Sequence, residues 1–324
     1  MKNIYPAFLL LAVLSVSQGC SDDPAHEDLS KALHLEGTIG TSTRAVINSG
    51  YEKDLDVCFA RSDQGSLWHQ LSAVRIGGIG RTPIVFTEPQ FYPDDDREVR
   101  LNGYYPGFGW TGNVQEQPIY TITDGSTDLM ATGLLCGSYS KPVTTCMFRH
   151  LLTQLKFVCF SDQPDMWGAI TKIEVQDIHR QQTFTLSDKI PVLSPVESSE
   201  TFSLSSICTS EDKRLELYSG SPGSIPESLV VQDSILVPTQ EAGTERYPLI
   251  LHITTQKGGV GIEKPGGYQH TAALVVKNAD TGESGVQAGF SHRVEMSFTN
   301  SEIEIVAVSV EPWTAVEIDE PIPL

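Results

Sequence analysis

The chain has 324 residues, is 40% hydrophobic and carries a formal net charge of -19 at pH 7. Binding nucleic acid needs clustered Lys and Arg to release phosphate counterions, so 41 acids against 22 bases exclude that partner. The acids are spread along the sequence as a solvated surface, and the length suits two domains.

Residues 7–16 form an apolar run behind Lys2. A membrane-spanning helix needs about 20 apolar residues, so this run is too short to be one. The basic start, the apolar centre and the small residue Gly19 make residues 1–19 an export signal instead. Cys20, directly after Gly19, looks like the lipid attachment point of a bacterial lipoprotein, although Ser17 stands where such signals usually carry Leu or Val. The stretch "SDDPAHEDLSK" then lacks the apolar content to pack, so residues 20–31 read as a polar tether.

The body that follows is predicted to be all-β. "ALHLEGTIG" (32–40) is the first strand of the mature chain. "DLDVCFAR" (54–61) alternates Leu55, Val57 and Phe59 with polar or small residues. "SLWHQLSAV" (66–74) carries apolar residues at i and i+4 and is a short helix candidate. "REVRLNGYYP" leads through Val99 and Leu101 into a turn at Pro106-Gly107. "IYTIT", "TKIEVQ", "TFTLS", "TFSLS", "RLELYS", "DSILVP" and "PLILHITT" repeat the strand pattern between turn residues. "HLLTQL" (150–155) has a helical spacing, yet it lies in "FRHLLTQLKFVCF", which also reads as a strand. The C-terminal "HRVEMSFTNSEIEIVAVSVEPW" reads as two strands about a "TNSE" turn, with a phase change at Ile305-Val306 that predicts a bulge or two buried faces. Many short strands with 27 Gly and 19 Pro point to sandwiches or barrels.

The candidate sites for chemistry fail one by one. Asp94, Asp95 and Asp96 are contiguous, whereas calcium loops alternate their acids, so the triplet reads as a solvated loop. "KGGVGIEKPGG" (257–267) lacks the strand-to-helix setting and the GK[ST] of a phosphate loop and reads as a flexible hairpin loop. His150 and His292 have no nucleophile setting beside them and are read as structural, with their rings bonded to backbone. "YYPGFGW" (104–110) is read as a packed loop or domain seam, with sugar stacking as the alternative. Five cysteines remain once Cys20 is set apart from the six, and none forms a CxxC or a zinc spacing, so no metal or cofactor is expected. Cys58 and Cys159 are expected as buried thiols; Cys136 and Cys146 either bridge or stay free, and Cys208 is unassigned. With no catalytic constellation, an enzyme is not expected.

Several segments in order carry a resemblance. "STRA" (42–45) after the first strand, "GSTDLMAT" (125–132), "FRHLLTQLKFVCF" (148–160) and "AGFSHRVEMSFTNSEIEIVAVSVEPW" (288–313), together with the Cys20 signal, resemble the fimbrillin family, the lipoprotein-derived subunits of type V pili. The likeness spans nearly the whole chain; His292 departs from it, standing where family members often have an aromatic. It implies two transthyretin-like (Greek-key) β-sandwich domains in tandem, placed here at 32–146 and 147–324, the second ending in a short tail, 314–324. It also implies a surface protease that cuts between Arg44 and Ala45, removing the strand 32–40 in which Leu33 and Leu35 point inward. The vacated groove is then filled by a strand of the next subunit, and in this chain Val316 and Ile318 mark the candidate donor strand. Pro321 and Pro323 shorten any ladder that tail can make, because proline cannot donate.

The expectation is therefore an outer membrane lipoprotein that matures into a structural subunit of a type V fimbria and supports cell adhesion. Its expected partners are other fimbrial subunits, the maturing protease, the outer membrane through its lipid, and a host or bacterial surface receptor. The alternative is a non-polymerising surface lipoprotein or tip adhesin that binds glycan or protein.

Overall fold

The computed structural model describes residues 29–39, 51, 53–63, 67–111, 116–206, 214–221, 231–239, 243–277, 285–300 and 302–311. The first half contributes β1 (Leu35–Ile39), β2 (Leu55–Asp63), β3 (His69–Arg75), β4 (Thr82–Phe86), β5 (Val99–Tyr105), β6 (Trp110–Thr111), β7 (Ile119–Thr121), β8 (Met130–Ala131), β9 (Leu135–Gly137) and β10 (Thr145–His150). The second half contributes β11 (Leu152–Ser161), the one-turn helix α1 (Pro164–Trp167), β12 (Ile170–His179), β13 (Gln181–Thr183), β14 (Ser194–Pro195), β15 (Thr201–Ser205) and β16 (Tyr218–Ser219). It ends with β17 (Asp233–Pro238), β18 (Leu249–Thr255), β19 (Tyr268–Leu274), β20 (Ser291–Phe298) and β21 (Ile303–Glu311). The chain is all-β in character, as its alternation predicts.

The N-terminal strands form an eight-stranded sheet in the order β2-β3-β4-β1-β10-β8-β5-β9, and a further pairing of β2 with β5 closes it into a ring. Closure removes the open edges that a flat sheet would leave. Inside the ring, Leu35, Ile39, Val57, Phe59, Ile84, Leu101, Cys146 and Phe148 belong to one core. Phe59 meets Phe86 and Phe148 edge-on at 5.3 and 6.0 Å between centroids.

In the second half, one sheet runs β16-β11-β20-β21 with β17 also on β11, and the other runs β15-β12-β18-β19. Phe157, Val294 and Met296 from the first and Ile173, Val175, Leu251 and Ile253 from the second share a core. β20 and β21 pair through a register shift that leaves Val306 unmatched, at the predicted change of phase. A small sheet, β14-β13-β7-β6, takes strands from both halves. Tyr104 and Trp110 meet Phe184 there at 5.9 and 5.4 Å, which makes "YYPGFGW" a packed seam, with Phe108 left exposed.

Three expectations need correction. Residues 69–75 are β3, not helix, because seven residue pairs with β2 outweigh a weak local preference. The "FRHLLTQLKF" run is two strands. β10 stays in the N-terminal sheet through His150 and the chain changes sheet at Leu151, so the division placed after Cys146 falls inside β10. The histidines depart from the expected backbone bonding: the His150 Nδ1 meets the Asp128 carboxylate at 2.6 Å, and neither ring nitrogen of His292 has a hydrogen-bond partner among the described residues.

Candidate functional site

The strand predicted to be removable, β1, is one of the strands that close the ring. It runs parallel to β10, from Glu36 opposite Thr145 to Ile39 opposite Phe148, and antiparallel to β4, from Leu35 opposite Ile84 to Gly37 opposite Thr82. Period-two alternation turns Leu33, Leu35, Gly37 and Ile39 inward, while His34 and Glu36 face solvent. Leu33, Leu35 and Ile39 are 5%, 2% and 6% exposed, so all three contribute buried area. Just before the strand, the Leu33 N–H donates to the Gln90 carbonyl at 2.7 Å, and the Tyr92 N–H donates to the Lys31 carbonyl at 2.9 Å. Lys31 also reaches Asp94 at 2.7 Å.

The middle of β1 is the tightest point. A Cβ at Gly37 would lie 2.8 Å from the Ile84 Cδ1 and 3.5 Å from the Cys146 Sγ. Gly37 is not among the glycines with positive φ, so the position demands space rather than a special backbone. The Arg75 guanidinium lies buried beside it. Its Nε donates to the Gly37 carbonyl at 3.3 Å, and Nη1 and Nη2 donate to the carbonyls of Ile76, Gly78 and Gly80. Burial pulls the Arg75 pKa below its ordinary value, with the nearby Cys146 thiol opposing that shift. Burial also pushes the Cys146 thiol up to about 12 although Arg75 favours the thiolate, so the thiol is neutral and packs as an apolar group.

The arrangement holds one extended strand by main-chain pairing on both sides and by a row of apolar pockets. Withdrawing β1 would expose the facing edges of β4 and β10 together with the pockets of Leu33, Leu35 and Ile39. Each of those side chains is worth about 2–3 kcal/mol of burial, and their sum is a large part of the roughly 5–15 kcal/mol that stabilises a domain. A vacated groove therefore needs refilling.

Of the residues singled out in sequence, Leu33 and Leu35 lie in this groove. Cys20, Arg44, Ala45, Val316, Ile318 and Cys208 lie outside the described residues. Cys58, Cys146 and Cys159 are buried free thiols, and Cys136 is free and exposed, so Cys136 and Cys146 do not bridge. The acidic triplet does not converge: Asp94 meets Lys31, Asp95 meets Arg97 at 2.8 Å, and Asp96 accepts from the Ser140 N–H at 2.7 Å. Ile39, Gly37, Arg75 and Ile84 went unnoticed. Ile39 had a signal, since it continues the alternation of Leu33 and Leu35.

A fimbrillin-like family profile matches residues 80–313, well over half of the 324. The chain belongs to the fimbrillin-like family. The match begins within the turn before β4, so β4 and β10 lie inside it, whereas β1 lies ahead of it. This fimbrillin-like chain is similar in structure to a candidate cell adhesion protein of Bacteroides uniformis, at 14% identity and a TM-score of 0.57, covering 87% of this chain and 98% of that one. A second such protein, from Bacteroides ovatus, gives 13% identity and a TM-score of 0.54, covering 89% and 99%. A third, from Parabacteroides distasonis, gives 8% identity and a TM-score of 0.52, covering 89% and 98%. Identities this low speak for the fold alone. No curated protein matches the chain at a significant level.

Proposed function

We propose that this fimbrillin-like chain is a structural subunit of a cell-surface fimbria that acts by strand replacement rather than catalysis. It is exported as a lipoprotein through Cys20, cut after Arg44, and incorporated when a strand of a neighbouring subunit takes the place of β1. The observation that carries the reading is the position of β1: short, paired on both sides and a member of the closed ring, so that its loss reopens the ring. Strand addition to an open edge is favourable because it satisfies unpaired main-chain groups while side chains fill pockets. Arg44 lies five residues after the last residue of β1, in polar "GTSTRA", a composition suited to proteolysis.

The test is the N-terminus of the protein in fibres sheared from producing cells. The reading predicts a start at Ala45 in high-mass material. A lipidated Cys20 on a monomer that stays with the cells would overturn it and leave a surface binding protein.

A further inference from the structure

We infer that the strand taking the place of β1 has a glycine or alanine flanked two residues away on each side by large apolar side chains, a pattern that residues 312–324 of a second copy do not supply. The inference rests on the strand-replacement reading above and narrows what the groove accepts. Three successive inward positions of β1 define the requirement: Leu35, Gly37 and Ile39. The two outer pockets hold large side chains that are almost wholly buried. The central slot is walled by Ile84 from β4 and Cys146 from β10, and a Cβ would already press on the tip of Ile84 at 2.8 Å. Ile84 can turn its terminal methyl aside for one carbon, so alanine is tolerable. A β-branched or longer residue would have to displace the Ile84 stem and the Cys146 thiol as well. The slot does not widen toward Arg75, whose guanidinium is held by the carbonyls of Ile76, Gly78 and Gly80 even without β1.

A pattern of large, any, small, any, large reads the same in both directions. It therefore holds whether the incoming strand runs parallel or antiparallel to β10.

The candidate donor segment of this chain does not have that pattern. In "PWTAVEIDEPIPL" (312–324) the only small residue is Ala315, and its neighbours two positions away are Trp313 and Glu317. That register places a carboxylate in an apolar pocket shaped for Leu35 or Ile39, where burying a charge is costly. The other phase sets Val316, Ile318, Glu320 or Ile322 in the central slot. Every one of these is branched or longer than alanine. Residues 312–324 of a second copy are thus a poor donor.

Peptide exchange tests this. The full chain, carrying a specific protease site inserted after Arg44, is cut and offered three labelled peptides: residues 32–40, the same peptide with Gly37→Val, and residues 312–324. Fluorescence anisotropy reads binding. The residue 32–40 peptide should enter the groove, and the other two should bind at least tenfold more weakly. In an Ile84→Ala chain, the gap between the first two peptides should shrink. Equal binding of the 312–324 peptide, or of the Gly37→Val peptide in the unaltered chain, overturns the inference. Failure of the 32–40 peptide itself to enter would overturn strand replacement, and this inference with it.

Discussion

β1 and β11 are both interior strands with a parallel partner, yet they are held very differently. All ten residues of β11 are buried, and it pairs with β20 along one side and with β17 and β16 along the other. β1 has five residues, of which three are buried, and its inward face holds a glycine, whereas β11 buries larger side chains along its whole length. β11 is part of the frame around which the second half condenses. β1 is a plug: its pairing closes the ring, but few side chains bind it there. On the proposed reading β1 leaves, and an element that leaves is drawn from the weakly held end of a molecule.

The comparison can be broken most severely at β11. Phe157→Ala should cost about 3–5 kcal/mol, because the surrounding sheets cannot collapse into the space. Urea unfolding followed by tryptophan fluorescence reads this; a loss no larger than that of a β1 variant would end the distinction. Leu35→Ala should cost about 2–3 kcal/mol in the full chain, with Trp167 in the second half retaining its native environment at urea concentrations that loosen the ring. Simultaneous loss of both halves would mean that β1 belongs to the frame.

A pH-dependent effect separates the two halves further. His292 on β20 is buried without a ring partner, and burial lowers its pKa from 6.5 to about 4. Between those values the unfolded chain takes up a proton that the folded chain refuses. The contribution of the neutral imidazole is therefore complete above pH 6.5 and lost as the pH falls toward 4, by about 3 kcal/mol if the whole gap is traversed. His292→Phe should remove that part of the acid sensitivity, seen as a smaller fall in urea midpoint between pH 7 and pH 4.5. An unchanged fall would show that other groups dominate. Cys136→Ser, at an exposed free thiol, should shift stability by less than about 0.5 kcal/mol.

Much of this was legible in the sequence. Alternation such as that of Leu55, Val57 and Phe59 marks a strand with one buried face, and the strand character of 32–40 came from the same pattern. β11 was ambiguous because a strand buried on both faces loses its period and looks like any apolar segment. The Gly37 slot was not legible, since its walls come from β4 and β10, and the second lies more than a hundred residues away. Arg75 was hidden for another reason. Arginine is ordinarily placed at the surface, and only the carbonyls of Gly37, Ile76, Gly78 and Gly80 make its burial tolerable.

The central claim is that β1 must leave its place for the chain to enter a fibre. Gly37 lies opposite Cys146 on β10, and a Cβ at position 37 would stand 3.5 Å from the Cys146 Sγ, close enough for a disulfide after Gly37→Cys. The measurement is the amount of this chain in sheared high-mass fibres from cells expressing Gly37→Cys, with Gly37→Ala as the unlocked control and the crosslink verified by mass. The account predicts that the locked chain is absent from fibres while the control is present. Equal incorporation of both would contradict it.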